Sequence, residues 1–154
     1  MFQWLKSLLK TPEPAGPSRT IRTFGASDQP ISTASAAYQD GWIFETNGNQ
    51  TFRLFEVPLS GIEQCRVIYR AKLKTEKVQG RAYLEMWCQL PGRGEFFSKG
   101  FHHAVKGTND WATYETPFYL KRGQQPDLVK LNLVIEGGGK VRIKEAELFY
   151  IPLK

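Results

Sequence analysis

Period-two alternation is the feature that most constrains this chain. From residue 51 onward, apolar and polar side chains alternate through one short segment after another, and turns rich in Gly, Pro or Asp separate the segments. Because successive side chains of a strand point to opposite faces of a sheet, this alternation is typical of strands with one buried face. No segment in this region has the three- and four-residue apolar spacing of an amphipathic helix. The sequence therefore predicts an all-β domain.

The spacing of the segments indicates an antiparallel β-sandwich of about eight strands, with one short strand before them. Turns or loops are predicted between all of them, including a turn at 76–80 and a polar loop at 106–110. The predicted strands cover residues 20–24, 42–45, 51–57, 64–74, 81–90, 95–98, 111–120, 128–136 and 140–151.

The chain of 154 residues is predicted to form a single domain, residues 20–154, preceded by two short segments. Residues 11–19 contain several prolines and a glycine and are expected to be an extended linker. Residues 1–10 are predicted to form a short amphipathic helix with two lysines away from its apolar side. The apolar residues of this segment are Phe2, Trp4, Leu5, Leu8 and Leu9.

Three roles remain open for residues 1–10: docking on the chain's own sheet, binding in a partner's groove, or lying in a membrane interface. The segment is too short to span a bilayer, and Lys6 interrupts the apolar run that a secretory signal needs. An extended linker reaches roughly 25 Å, so the segment can act away from the domain. We therefore expect it to anchor the domain to a membrane surface or a membrane-bound assembly, with a cytoplasmic, peripheral location.

The charge of the chain limits the choice of partners only weakly. Lys and Arg number 21 against 15 Asp and Glu, which gives a formal net charge of +6. This bias favours acidic partners in general. Basic residues do not form a block, however, and acidic residues lie among them throughout, so nucleic acid is not a favoured partner.

Two cysteines and two histidines are the thiol and imidazole groups of the chain. Cys65 and Cys88 both fall on the apolar faces of predicted strands, which favours two buried free thiols. If the two strands are neighbours, a disulfide is the alternative, and it would indicate an oxidising compartment. His102 and His103 are adjacent, so their side chains diverge in an extended segment, and no metal site is predicted there.

Sequence motifs for catalysis are lacking. The chain has no nucleophile elbow, no zinc-protease motif and no phosphate-binding loop in a strand–loop–helix context. Glu85, Glu115 and Glu136 are the candidates for a pair of glycosidase carboxylates, but solvated charges on strands are far more common. We therefore expect a protein that is not an enzyme and that needs no cofactor.

Four segments in order carry a resemblance to a known superfamily: "CRVIYRAKLK", "AYLEMWCQL", "DWATYETPFYL" and "PDLVKLNLVIEGGGKVRIKEAELFYI". This order resembles the galactose-binding-like β-jelly rolls, which include many carbohydrate-binding modules, over residues 40–152. More distantly, it resembles the complex-I intermediate-associated family, whose jelly roll binds proteins. The resemblance implies a jelly roll that acts as a binding or assembly module. Lys144 and Glu145 stand where the superfamily commonly has Asp-Asp, so a structural calcium is not favoured.

The outward side chains of strands 64–74, 81–90 and 128–136 are predicted to form one open face that binds the ligand or partner. They combine flat aromatic rings with groups that donate and accept hydrogen bonds. The predicted binding residues are Arg66, Arg70, Tyr83, Glu85, Trp87, Lys130 and Asn132.

Three uses of this face are open. Tyr, Trp and Arg favour a protein interface, stacking rings beside polar groups favour a glycan, and cover by residues 1–40 would make the face part of the packing. A chain in the expected compartment meets little free polysaccharide. Contact with a protein partner or membrane-bound assembly is therefore the main hypothesis, and a carbohydrate-binding module is the alternative.

Overall fold

The computed structural model describes residues 13–33, 37–38 and 40–154. In these residues the chain forms nine β-strands and a single short 3-10 helix, Phe101–His103. The strands are β1 Arg19–Phe24, β2 Ala37–Tyr38, β3 Gly41–Thr46, β4 Gln50–Pro58, β5 Cys65–Leu90, β6 Gly94–Lys99, β7 Val105–Leu120, β8 Leu128–Glu136 and β9 Gly139–Pro152. The prediction of an all-β fold is confirmed, while the predicted helix and anchor at residues 1–10 lie outside the described residues.

Two layers of antiparallel strands pack face to face. In the first sheet, β9 lies between β5 on one side and both β1 and β3 on the other; β7 extends the sheet beyond β5, and β2 beyond β3. In the second sheet, the order is β4, β8, β5 and β6. The predicted β-sandwich is therefore confirmed, with one strand shared by both of its sheets.

Strand β5 runs through both layers, so the predicted turn at 76–80 is wrong. Residues 65–76 of β5 pair with β9, and residues 81–89 pair with β8. Between them the strand bends: Lys77 has a positive φ of 52°, and a Cβ on Gly80 would lie only 2.5 Å from the carbonyl oxygen of Glu136. The charged residues and the glycine of this segment suggested a turn. A sharp bend in a continuous strand also favours polar residues and a glycine, because its backbone is exposed and closely approached by a neighbouring strand.

The predicted loop at 106–110 is wrong for a related reason. These residues belong to β7, where Gly107 pairs with Val78 and Asn109 pairs with Thr75 across the bend of β5. The register shifts three times in this region, which explains why regular alternation is missing from the sequence here. The bend is therefore supported by a second strand that follows it.

Aromatic contacts between the sheets hold the sandwich together. Phe24 of β1 stacks on Phe55 of β4 with ring centroids 3.9 Å apart, and Trp42 of β3 meets the same ring edge-on at 5.3 Å. Phe44 of β3 lies 4.9 Å from Phe52 of β4. These pairs join strands of opposite sheets, so the apolar side chains of both layers form one buried core.

A bulge in β4 lets that strand contribute more to the core than its alternation predicted. The pairing with β8 shifts between Arg53 and Phe55. Leu54 and Phe55 are adjacent in sequence and fall on opposite faces in a regular strand, yet both are buried. The irregular residue re-aims the second half of the strand, as bulges do.

The second part of the predicted linker lies against the end of β9, where the backbone of Pro14 pairs with Leu153 and the N–H of Ala15 donates to the carbonyl oxygen of Pro152. Among the described residues, no helix has the length and apolar character needed to cross a bilayer.

Both cysteines are free and fully buried, as expected from their apolar faces. Burial raises the pKa of the Cys65 thiol to about 11 and that of the Cys88 thiol to about 12. Since the thiolate is the reactive species, neither side chain should react in the folded protein.

We predict that an aromatic disulfide reagent labels neither thiol at neutral pH until the protein is unfolded in guanidinium chloride, and that both react then. The measurement is the released chromophore with and without denaturant. Rapid labelling in native buffer, or a chain without free thiols after unfolding, would contradict the burial seen here.

Candidate binding face on the second sheet

The outer face of the second sheet gathers most of the predicted binding residues. Glu85 and Trp87 lie on the second half of β5, and the register places Asn132 of β8 opposite Glu85 and Lys130 opposite Trp87. Because these positions alternate with buried core residues on both strands, the side chains point to the same side of the sheet. The strands therefore form the cluster that the sequence pattern predicted.

Arg66 and Arg70 lie elsewhere, so the prediction of one face for all the residues is wrong. They belong to the first half of β5 and point outward from the first sheet. The Nη2 atom of Arg70 lies 2.7 Å from Glu115 Oε2, and its guanidinium lies 4.6 Å from the ring centroid of Phe149. The sandwich has two outer faces, and the bend of β5 sends its two halves to different ones.

Glu85 is the centre of the cluster. Its side chain is buried, and its Oε1 atom accepts hydrogen bonds from Trp87 Nε1 at 3.0 Å and from Asn132 Nδ2 at 2.9 Å. The ammonium of Lys99 lies 3.9 Å from Oε2. A buried carboxylate is stable only with such partners. In return, it fixes the orientation of the indole ring and of the amide.

Two aromatic rings lie side by side on this face. The ring centroids of Trp87 and Phe97 are 5.2 Å apart, and Phe97 is 53% exposed, more than any other large apolar side chain in the described part of the chain. Phe97 is not among the binding residues that the sequence predicts. Its position in the strand that pairs with residues 85–90 was the available signal, since the pairing places it opposite Trp87.

An open groove of about 340 Å³ lies beside Trp87, across β4, β8, β5 and β6. Polar groups form its walls: Lys130 Nζ lies 2.6 Å from Glu95 Oε1, and the guanidinium of Arg53 donates to Glu56 Oε1 at 3.0 Å. An aromatic ring, an amide and several charged groups are thus within reach of one small polar ligand. The lining residues are Thr51, Arg53, Glu85, Trp87, Glu95, Lys130 and Asn132.

Tyr83 lies on the same face but is covered. Only 3% of the residue is exposed, because the ring of Phe101 packs edge-on against it at 5.0 Å and the guanidinium of Arg81 lies over it at 5.3 Å. Its hydroxyl donates to Glu136 Oε2 at 3.1 Å, and Arg81 Nε donates to Glu136 Oε1 at 2.8 Å. Tyr83 is therefore a buried packing residue beneath Phe101 and Arg81, and it does not form part of the exposed surface of this face.

This small network shifts two pKa values. Burial, together with the hydrogen bond to Glu136, raises the pKa of Tyr83 to about 12, so its hydroxyl stays protonated and donates at neutral pH. The hydrogen bond from Arg81 lowers the pKa of Glu136 below its ordinary value. The folded state therefore favours the ionised form of Glu136.

A lowered carboxyl pKa has a defined effect on stability. The contribution of Glu136 is fully present above about pH 5, where the unfolded chain is also ionised, and is lost as the pH falls through the lowered pKa. We predict that Glu136→Gln lowers the melting temperature at pH 7 and that its difference from the wild type shrinks below about pH 4. The control is Glu45→Gln, at an exposed position of β3. A difference independent of pH would contradict the ionic origin.

The described residues contain no group of three or more His, Cys, Asp or Glu side chains arranged to hold a metal ion.

Comparison with known proteins relates this chain to others through its fold alone. No family model matches the sequence, and no curated protein matches it. The xylan-binding module of family 15 has a TM-score of 0.50 with 10% identity, and the match covers 91% of this chain and 99% of that one.

Two other solved structures show how widely the fold is used. A Stig cyclase from Fischerella sp. TAU matches over 92% of this chain and 81% of its own, with a TM-score of 0.53 and 10% identity. The enzymatically active domain of a tailspike protein from bacteriophage CBA120 matches over 89% of this chain with a TM-score of 0.51 and 9% identity. This chain spans 19% of that tailspike chain.

The predicted β-sandwich fold is thus shared with a xylan-binding module, with a cyclase and with part of a bacteriophage tailspike protein. The more distant resemblance to complex-I intermediate-associated proteins stays a prediction.

Proposed function

We propose that this chain is a non-catalytic carbohydrate-binding module and that the groove beside Trp87 is its sugar site. The observation that carries the proposal is a pair of partly exposed rings, Trp87 and Phe97, beside two polar groups in fixed positions. These groups are the amide of Asn132 and the carboxylate of Glu85, which are hydrogen-bonded to each other, and Glu85 also accepts from the indole N–H of Trp87. The alternative of the sequence analysis thereby replaces its main hypothesis of a protein partner.

A sugar has two kinds of surface, and the groove offers a partner for each. The C–H faces of a pyranose ring are apolar and stack on flat aromatic side chains, while the hydroxyls at its edge need hydrogen bonds. The indole is held along the strand by its N–H bond to Glu85. Lys130, Asn132 and Arg53 border the same groove and are available for the hydroxyls.

The shape of the site and the fold favour a glycan over a protein partner. A groove of about 340 Å³ suits a small polar ligand, whereas protein interfaces of standard size are much larger surfaces with an apolar centre. A xylan-binding module has the same fold, which raises the expectation of carbohydrate binding without naming the sugar.

The groove carboxylates favour binding over catalysis. Glycoside hydrolysis needs one carboxyl group that donates a proton and another that attacks or activates water. Glu85 is occupied by Trp87 and Asn132, and Glu95 is in an ion pair with Lys130. Both groups are therefore used to hold other side chains in place.

We predict that the full chain is retarded in native gels containing a soluble polysaccharide, chosen from a panel of xylan, mixed-linkage glucan, mannan and galactan. Trp87→Ala should weaken binding by about 2 kcal/mol, roughly 30-fold in Kd, because it removes the stacking surface. Titration calorimetry with the best oligosaccharide measures the change.

Two variants make this test specific. Trp111→Ala removes a tryptophan from the first sheet, where Lys144 lies over the ring at 4.3 Å, and should leave affinity unchanged. Trp87→Phe keeps a ring but loses the N–H donor, and should retain part of the affinity. Retardation by none of these polysaccharides, or equal losses for Trp87→Ala and Trp111→Ala, would contradict the proposal.

A further inference from the structure

The outermost strands of a sheet carry backbone groups that need a partner, and this protein covers some of them itself. The outer edge of β4 is covered by the segment after β1: the N–H of Ile31 donates to the carbonyl oxygen of Leu54 at 2.9 Å, and the N–H of Ser32 to that of Arg53 at 2.7 Å. This edge is therefore closed to another strand.

The edge of β7 is also covered. The N–H of Glu115 donates to Nδ1 of His103 at 3.2 Å, and the hydroxyl of Ser98 donates to the carbonyl oxygen of Pro117. Pro117 itself has no N–H to offer, which is a common protection of edge strands. Ser98 near the end of β6 and His103 of the 3-10 helix thus supply hydrogen-bond partners to this edge.

Strand β6 lacks such cover in the described part of the chain. It pairs with β5 along one edge, and no other described strand pairs with it. Two adjacent phenylalanines of this six-residue strand are exposed, Phe96 by 44% and Phe97 by 53%. Exposed apolar side chains on an open edge favour the addition of another strand.

We propose that β6 pairs in antiparallel fashion with β6 of a second copy of this chain, centred on Phe97. In this register Phe97 faces Phe97 of the second copy, and Glu95 faces Lys99 of the second copy on both sides of the two-fold axis. The strand is thus complementary to itself in charge and in apolar surface, as a symmetric dimer interface requires.

The register also preserves the faces of the sheet. Glu95, Phe97 and Lys99 lie opposite Gln89, Trp87 and Glu85 of β5, so they belong to the outer face of the second sheet. Pairing odd positions with odd positions keeps outer side chains on the outer face in both copies, whereas a shift by one residue would reverse them. Glu95 would then lie between Lys130 of its own chain and Lys99 of the second copy.

The dimer joins the two second sheets into one surface. Trp87 of each copy lies one strand from its own β6, so the two indoles are separated by three strand spacings, about 14 Å. Two grooves on one surface would bind a polysaccharide with higher avidity than either alone. The pairing itself does not depend on the proposed function, since it is measured without a ligand.

Light scattering coupled to size exclusion tests the pairing with the full chain. The expected mass is twice 17.6 kDa at high micromolar concentration and falls towards 17.6 kDa on dilution. Phe97→Asp places two carboxylates opposite each other and should raise the dimer dissociation constant at least about tenfold. The control is Tyr119→Asp, which adds the same charge at a position that is 41% exposed on β7 of the first sheet, and it should leave the dimer intact.

A chain that stays monomeric at every concentration overturns the proposal, whether residues 1–12 cover the edge or the edge stays in water.

Disulfide trapping tests the register independently of stability. Phe97→Cys should form a cross-linked dimer under mild oxidation, because facing Cα atoms on paired strands lie within disulfide range. Glu95→Cys should not, since it faces position 99. A Glu95→Cys or Phe96→Cys cross-link without one at position 97 overturns the register.

Discussion

The continuity of strand β5 is the constraint on which the rest of the structure depends. This strand pairs with β6, β7, β8 and β9, and it passes from one sheet to the other without ending. Backbone N–H and C=O groups that leave water must be paired. β7 pairs with β5 on both sides of the bend at residues 76–80, while β9 pairs with the residues before it and β8 with those after it. The position of the bend then decides which outward side chains share a surface. Outward side chains before the bend face solvent from the first sheet, whereas the outward side chains of Glu85 and Trp87, after the bend, line the groove.

Within the groove, the burial of Glu85 organises the other side chains. An ionised carboxylate that has lost most of its water needs donors, and it finds them in Trp87, Asn132 and the nearby ammonium of Lys99. A second carboxylate network, Glu136 with Arg81 and Tyr83, fixes the neighbouring part of the face. Each network orients its members before any ligand arrives. Preorganised groups lose little conformational entropy on binding, which suits the weak individual contacts that sugars make.

Backbone groups at the edges of the two sheets also need hydrogen-bond partners. Ile31 and Ser32 bond to the outer edge of β4, and Ser98 and His103 bond to that of β7, whereas no strand in the described part of the chain pairs with the outer edge of β6. The groove and this edge are adjacent, because Phe97 pairs with Trp87 across β5 and β6. The proposed binding face and the proposed dimer edge therefore use the same few strands.

The sequence by itself determined the all-β class, nearly every strand, the burial of both cysteines and the grouping of Glu85 and Trp87 with Lys130 and Asn132. Alternation is a local property, and it assigns a side chain to a face as long as the strand stays regular. Tertiary structure alone decided where regularity fails. The bend of β5 carried Arg70 to the other sheet, the bulge in β4 turned Phe55 inward, and the packing of Phe101 covered Tyr83. These outcomes depend on which distant strand pairs with or packs on each segment, and no local pattern encodes that choice.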